Sequence, residues 1–229
     1  MYKMIALDMD GTLLNSQKKI SKATLEAINK AFNAGKEVVL CTGRCIPELQ
    51  EYIEQIKDLR YIIGISGALV YDLKEKKEIY INKIPENQVD IIFDAIEGVD
   101  VLPHILSEKS LVQKGQMENM EYYGMGAYKS LFEKVATPVD NIAEYSIKNK
   151  VDVLKLNLYH AFQEDREKTR KKLEKENFVM VNAEKTSLEI SAAGTTKGTG
   201  LAKLCDYLGI DLSAVSYTHL RAHETRSNL

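Results

Sequence analysis

The chain of 229 residues is short of the features that would tie it to an extracellular, membrane or nucleic-acid setting. Its three cysteines, Cys41, Cys45 and Cys205, have no metal-ligand spacing and form no even disulfide set. They read as reduced thiols in a core or a loop. The four prolines build no Pro-rich linker, and no internal repeat or low-complexity tract breaks the chain. An excess of one charge is also missing. The net charge of −2 favours neither nucleic acid nor an anionic membrane as a partner. The longest apolar stretch, 61–71, is too short to span a bilayer and is broken by Gly64, Ser66 and Gly67. No basic segment followed by an apolar signal core opens the sequence. With 45% hydrophobic and 28% charged residues, the expectation is a soluble, cytoplasmic globular protein of one large domain or two smaller ones.

What is present starts at once. Met4-Ile5-Ala6-Leu7 is an apolar run that leads into Asp8-Met9-Asp10-Gly11-Thr12. A run of that kind reads as a strand covered on both faces, as in a parallel α/β sheet. The two aspartates then stand at its carboxyl end, where open α/β sheets bind ligands. Gly11 allows a sharp turn. A carboxylate pair so placed can divide a reaction between a nucleophile and a proton shuttle, with a divalent cation to neutralise the site. The bland alternative is an acidic turn after a core strand.

The following segments repeat the strand–helix alternation. A helix capped by Ser21 and closed by Gly35 should bury Leu25, Ile28 and Phe32. A second strand, 37–41, ends at Thr42-Gly43-Arg44, and a helix with Leu49, Ile53 and Ile56 inward follows. A third strand, 61–65, ends at Ser66-Gly67-Ala68. This predicts a doubly wound, Rossmann-like parallel sheet. Residues 69–81 read as a hairpin, after which the pattern changes. Strands near 101–114, a half-exposed strand at 153–159 and a charged, solvated helix at 164–176 suggest an α+β insertion. A helix opened by Thr195-Thr196-Lys197-Gly198 returns to the style of the first part. The expected division is a core of 1–82 and 186–214 with an inserted cap of 83–185.

Asp8, Asp10, Thr42, Gly43 and Lys197 together supply what a phosphoryl group needs: a nucleophile, hydrogen-bond donors, a cation and a helix N-terminus. Thr42-Gly43 alone could be a strand-end turn, and Lys197 alone a solvated lysine in a first helical turn. The joint pattern argues against coincidence. His104 and His160 are expected at the surface or in packing, while Tyr122, Tyr123 and Lys155 are unranked candidates for substrate contact.

The motifs DMDGTLL, LCTGR, SGALVYD and TTKGTGL resemble those of the haloacid dehalogenase superfamily, in the Cof-like phosphatase group with a large α/β cap. The resemblance implies Asp8 as nucleophile, Asp10 as general acid and base, and Thr42 and Lys197 as phosphate contacts. It also implies Mg²⁺ held by the Asp8 carboxylate and the Asp10 main-chain carbonyl. The group usually ends its third strand in Asn-Gly-Ala, where this chain has Ser66-Gly67-Ala68. Relatives continue into a further apolar strand ending in Gly-Asp-x-x-Asn-Asp, and that motif is absent here.

Instead, Val215-Ser216-Tyr217-Thr218-His219-Leu220-Arg221-Ala222-His223-Glu224-Thr225 resembles one reading frame of a transposon-type sequencing adapter. Residues 215–229 are therefore expected to be a non-native tail, and His219 with His223 a decoy for a zinc site. The expected consequences are an unpaired edge on the first strand, mutual repulsion of Asp8 and Asp10 that raises one pKa, and a chain that is poorly stable and nearly inactive. The function expected of a full-length parent is a Mg²⁺-dependent phosphatase for small phosphorylated metabolites that works through an aspartyl-phosphate. A phosphotransferase or mutase differs by its acceptor, and a non-catalytic phosphometabolite-binding module by lack of turnover.

Overall fold

A computed structural model describes residues 2–218, so His219 and His223 lie outside the described residues. The chain divides into two compact units. The first comprises Met1–Arg44, Leu49–Ile81 and the segment from Thr195 onward. The second comprises Cys45–Glu48 and Asn82–Gly194. The boundary expected at 186 therefore moves to 195, because the strand at 187–192 pairs within the second unit's sheet.

In chain order the first unit contains β1 (Met4–Leu7), α1 (Lys22–Asn33), β2 (Glu37–Cys41), α2 (Gln50–Gln55), β3 (Tyr61–Gly64), β4 (Leu69–Asp72) and β5 (Lys77–Ile81). The second follows with α3 (Glu86–Ala95), β6 (Val101–Leu106), β7 (Ser110–Gln113), α4 (Lys114–Met117), α5 (Lys129–Val135) and β8 (Ala136–Val139). It continues through α6 (Ile142–Lys148), β9 (Lys155–His160), α7 (Gln163–Leu173), β10 (Phe178–Val181) and β11 (Ser187–Ala192). The chain then returns to the first unit with α8 (Lys197–Leu208) and β12 (Val215–Tyr217).

The first sheet has the order β12-β1-β2-β3-β4-β5. Its first three pairings are parallel and its last two antiparallel, the latter forming the expected hairpin. Ser21 caps α1 by accepting from the Thr24 N–H at 3.1 Å, and Gly35 follows the helix at φ 70°. One sheet face packs Met4, Ala6, Val39, Ile63 and Val70 against Leu201, Leu204 and Cys205 of α8. All three cysteines are buried as reduced thiols. Around α2 the inward residue is Tyr52 rather than the expected Ile53, because a 3-10 turn at Ile46–Leu49 shifts the helical phase.

The unpaired edge expected on β1 is not found. Val215, Ser216 and Tyr217 lie in parallel register with Met4, Ile5 and Ala6. The Lys3 N–H donates to the Ala214 carbonyl at 2.7 Å, and the Thr218 N–H to the Ala6 carbonyl at 3.1 Å. Val215 joins the buried core. Ladder bonds come from the main chain, so a short β-branched and aromatic segment fills this place.

The second sheet has the order β10-β11-β9-β6-β7-β8, antiparallel except for β7 and β8. Val101, Ile105, Leu156, Leu158, Leu188 and Ile190 pack on one side with Ile92 of α3 and Leu173 of α7. On the other side Leu102, Val112 and Tyr159 meet Met120, Tyr123 and Phe132. β9, expected to be half exposed, is buried along its whole length because it is a central strand covered on both faces. α7 is not simply solvated either. Arg166 is buried and donates to the Glu184 and Lys185 carbonyls at 3.0 and 2.7 Å. β8, α5 and α6 had no counterpart in the sequence reading.

His104 and His160 are both buried in packing. His104 Nε2 lies 2.7 Å from Ser110 Oγ, and burial pushes its pKa down to about 3. Lys155 is buried and paired with Glu189 at 3.2 Å. Tyr122 and Tyr123 both donate to the Asp100 carboxylate, at 3.0 and 2.7 Å. Among the described residues no helix is long and apolar enough to cross a membrane.

Candidate active site

Asp8 follows β1 directly, and the chain then turns through Met9-Asp10-Gly11-Thr12. Asp10 (φ −73°, ψ 120°) and Gly11 (φ 78°, ψ 3°) have the dihedrals of a type II turn. Gly11 is needed for its left-handed φ and not for room, since a Cβ there would meet nothing within 4 Å. The Leu13 and Leu14 N–H groups close the turn onto the carbonyls of Asp8 and Met9, at 3.2 and 2.9 Å. A bridge between Leu14 and Ile20 folds the next segment back, with Lys18 left-handed at φ 57°. That turn brings the Lys18 ammonium to Asp10.

Thr42 and Arg44 are held by the neighbouring strand end. The Thr42 N–H donates to the Ile63 carbonyl at 2.8 Å, while the Thr42 and Arg44 carbonyls accept from Ser66 and Ile65. Thr42 is buried, and its hydroxyl accepts from the Arg44 N–H at 3.3 Å. Gly43 lies between them and is half buried. Ile65, Ser66 and Gly67 all have positive φ (50°, 57° and 96°), so the third strand ends in a left-handed turn that is costly for the β-branched Ile65.

α8 brings in Lys197. Thr196 caps this helix, its hydroxyl accepting from the Thr199 N–H at 2.9 Å. The helix start sits directly on Gly67, where any Cβ would collide with the Thr196 carbonyl. Gly200, one turn on, packs on Ile63 and Gly67 with similar tightness. This approach of bare backbone to bare backbone sets Lys197 Nζ 2.7 Å from Asp8 Oδ1.

The two aspartates are therefore differently engaged. Asp8 accepts from Lys197, has the Thr12 hydroxyl 3.5 Å from Oδ2, and its main-chain N–H donates to the Thr218 hydroxyl at 3.1 Å. Asp10 is clasped by Arg44, with Nε at 3.0 Å and Nη2 at 2.8 Å, and by Lys18 at 2.8 Å. Burial pushes the Asp10 pKa up, but the Arg44 and Lys18 hydrogen bonds outweigh it and hold the carboxyl below its ordinary value. The repulsion expected to raise a pKa is overcome at Asp10 by these two cations.

The structure thus brings together Asp8 with Lys197 on one side, and Asp10 with the Thr42–Arg44 strand end on the other. Arg44 and Lys18 were not singled out from sequence. Arg44 could have been found as a guanidinium directly after a strand-end Thr-Gly. Lys18 sits in a polar loop with no local signal. For a hard cation such as Mg²⁺ the chemistry of the donors fits, since Asp8 offers a carboxylate and Asp10 a carbonyl. Among the described residues no group of three or more His, Cys, Asp or Glu side chains could hold a metal. A magnesium ion commonly takes one or two carboxylates and fills the rest of its shell with water and substrate phosphate.

Comparison with known proteins bears on the same segments. Residues 5–216 match the family model of haloacid dehalogenase-like hydrolases. The chain belongs to that family. This haloacid dehalogenase-like hydrolase is 28% identical, over 93% of its length and 74% of the relative, to a 5-amino-6-(5-phospho-D-ribitylamino)uracil phosphatase, YcsE, of Bacillus subtilis. Its fold matches a haloacid dehalogenase-like hydrolase from B. subtilis at a TM-score of 0.80, with 22% identity, over 94% of this chain and 82% of the other. It also matches the subclass IIB sugar phosphatase BT4131 at a TM-score of 0.78, with 20% identity, over 94% and 79% of the two chains.

Proposed function

We propose that this hydrolase is a phosphatase for small phosphorylated metabolites, with Asp8 as the nucleophile and Asp10 as the proton carrier. The observation that carries this reading is Asp8 at the end of β1 with Lys197 Nζ on one carboxylate oxygen at 2.7 Å. Lys197 fixes the Asp8 carboxylate and adds positive charge where phosphate oxygens gather. Thr42 and Gly43, at the end of β2, supply a hydroxyl and a main-chain N–H for the same oxygens.

In the first half-reaction an Asp8 oxygen attacks phosphorus as the bond from phosphorus to the substrate oxygen breaks. Asp10, which takes up a proton as the substrate binds, gives it to the departing alkoxide. In the second, Asp10 takes a proton from water, the hydroxide attacks phosphorus, and the bond from phosphorus to Asp8 breaks to regenerate the carboxylate and release phosphate. Mg²⁺, when held by the Asp8 carboxylate and the Asp10 carbonyl, would neutralise charge on the phosphoryl oxygens. The uracil-linked ribityl phosphate named for the B. subtilis relative and the sugar phosphates implied by the name of BT4131 agree in being phosphate esters of polyhydroxylated alcohols. That class is the substrate range we infer.

The test is hydrolysis of p-nitrophenyl phosphate in Mg²⁺ by the chain and by Asp8→Asn. Loss of turnover by about a thousandfold or more is expected, with an unchanged circular dichroism spectrum. Retained turnover would remove Asp8 from the nucleophile role.

A further inference from the structure

Three cations meet two carboxylates at the end of β1. Lys197 reaches Asp8 at 2.7 Å, while Lys18 and Arg44 reach Asp10 at 2.8 Å each. These cations come from three separate places: the turn after the Asp8–Leu13 loop, the end of β2, and the start of α8.

The two carboxylates also differ in exposure. The Asp8 side chain is 15% exposed, whereas those of Asp10 and its partner Lys18 are 41% and 50% exposed. Arg44 is only 10% exposed, and its donors hold both Asp10 oxygens. Oδ1 accepts from Lys18 and Arg44 together, and Oδ2 from Arg44. The Lys18 turn is itself anchored, because its carbonyl accepts from the Tyr52 hydroxyl at 3.0 Å. The Arg44 guanidinium lies over the Tyr52 ring, 5.6 Å from its centroid. One aromatic residue of α2 therefore holds both donors in place. Yet an Asp10 carboxylate that accepts three hydrogen bonds from two cations is held ionised and turned toward them, not toward a leaving group.

We propose that Lys18 and Arg44 are phosphate-binding residues, and that an incoming phosphate takes over hydrogen bonds they give to Asp10 in the resting site. A guanidinium fork matches phosphate as well as carboxylate, and an ammonium re-aims without backbone motion. The exchange keeps both cations paired while freeing an Asp10 oxygen for the leaving group. Phosphate binding and release of the proton carrier are then one event. This inference rests on the phosphatase reading for its ligand, and adds Lys18 and Arg44 to the residues that hold it.

Calorimetric titration of inorganic phosphate into the full chain, in buffer containing EDTA, separates the possibilities. Lys18→Met and Arg44→Gln should each weaken phosphate binding about tenfold, whereas Lys22→Met, an exposed cation at the start of α1, should leave it unchanged. Lys18 stands in an exposed turn, so its variant remains informative if Arg44→Gln folds poorly. Phosphate should also move the ¹⁵N resonance of the Arg44 Nε, as its carboxylate partner is exchanged. Equal affinity in both variants with a still Arg44 resonance would overturn the proposal and leave the phosphatase reading intact, since p-nitrophenyl phosphate turnover tests that separately. Absence of phosphate binding to the unaltered chain would overturn it as well.

Discussion

The two sheets of this molecule treat polar residues in opposite ways. In the first, Asp8, Asp10, Thr42 and Lys197 stand beyond the ends of strands or at a helix start, and the strands themselves are nearly all apolar. In the second, Lys155, Asn157 and His104 sit inside central strands and are buried there. The cause is topological. A parallel sheet with helices on both faces leaves room for chemistry only at its carboxyl edge. A mostly antiparallel sheet can turn alternate positions of one strand toward a polar layer, as Lys155, Asn157 and Tyr159 show.

The largest expected effect breaks the edge architecture of the first sheet. Gly67→Ala forces a Cβ into the Thr196 carbonyl at a φ of 96°, and should cost about 3 kcal/mol. Guanidinium unfolding would read this as a lower midpoint, accompanied by lost turnover as Lys197 is displaced from Asp8. The next effect lies in the polar layer of the second sheet. Lys155→Met strands the Glu189 carboxylate, which is partly open to water, and should cost about 2 kcal/mol. Glu189→Gln added to it should recover much of that loss if the pair is the cause.

The smallest effect sharpens the contrast through pH. The His104 pKa is held at about 3 by burial, against 6.5 when unfolded. The unfolded chain therefore takes up a proton below pH 6.5 that the folded chain refuses. Stability should be free of this cost above pH 6.5 and fall as pH drops toward 3. His104→Phe should flatten the limb between pH 6 and 5, where carboxylates still remain charged, by about 1 kcal/mol per pH unit. Equal slopes for the two proteins would show that His104 is protonated in the folded state.

This contrast also explains what could be read from the letters. Asp8-Met9-Asp10-Gly11, Thr42-Gly43 and Thr196-Lys197 were legible because residues at element ends are adjacent in sequence to the punctuation that marks those ends. The alternation of strand and helix through β1, β2 and β3 was read from short crossovers, and the hairpin of β4 and β5 from its polar turn. Arg44 and Lys18 escaped because their role comes from a partner 34 and 8 residues away, and no periodicity announces such a pairing. Lys155 and Asn157 made β9 look half exposed, since alternation cannot tell water from a buried polar layer.

The place beside β1 has a wider meaning. It is occupied by Val-Ser-Tyr through peptide groups and one buried valine, in a three-residue register that reads almost nothing of side-chain identity. Such a berth is closed by three residues of parallel strand and a single buried side chain. The residue that follows this strand reaches the site, for the Asp8 main-chain N–H donates to the Thr218 hydroxyl at 3.1 Å. What this border contributes to the reaction must therefore be judged by turnover and never by foldedness alone.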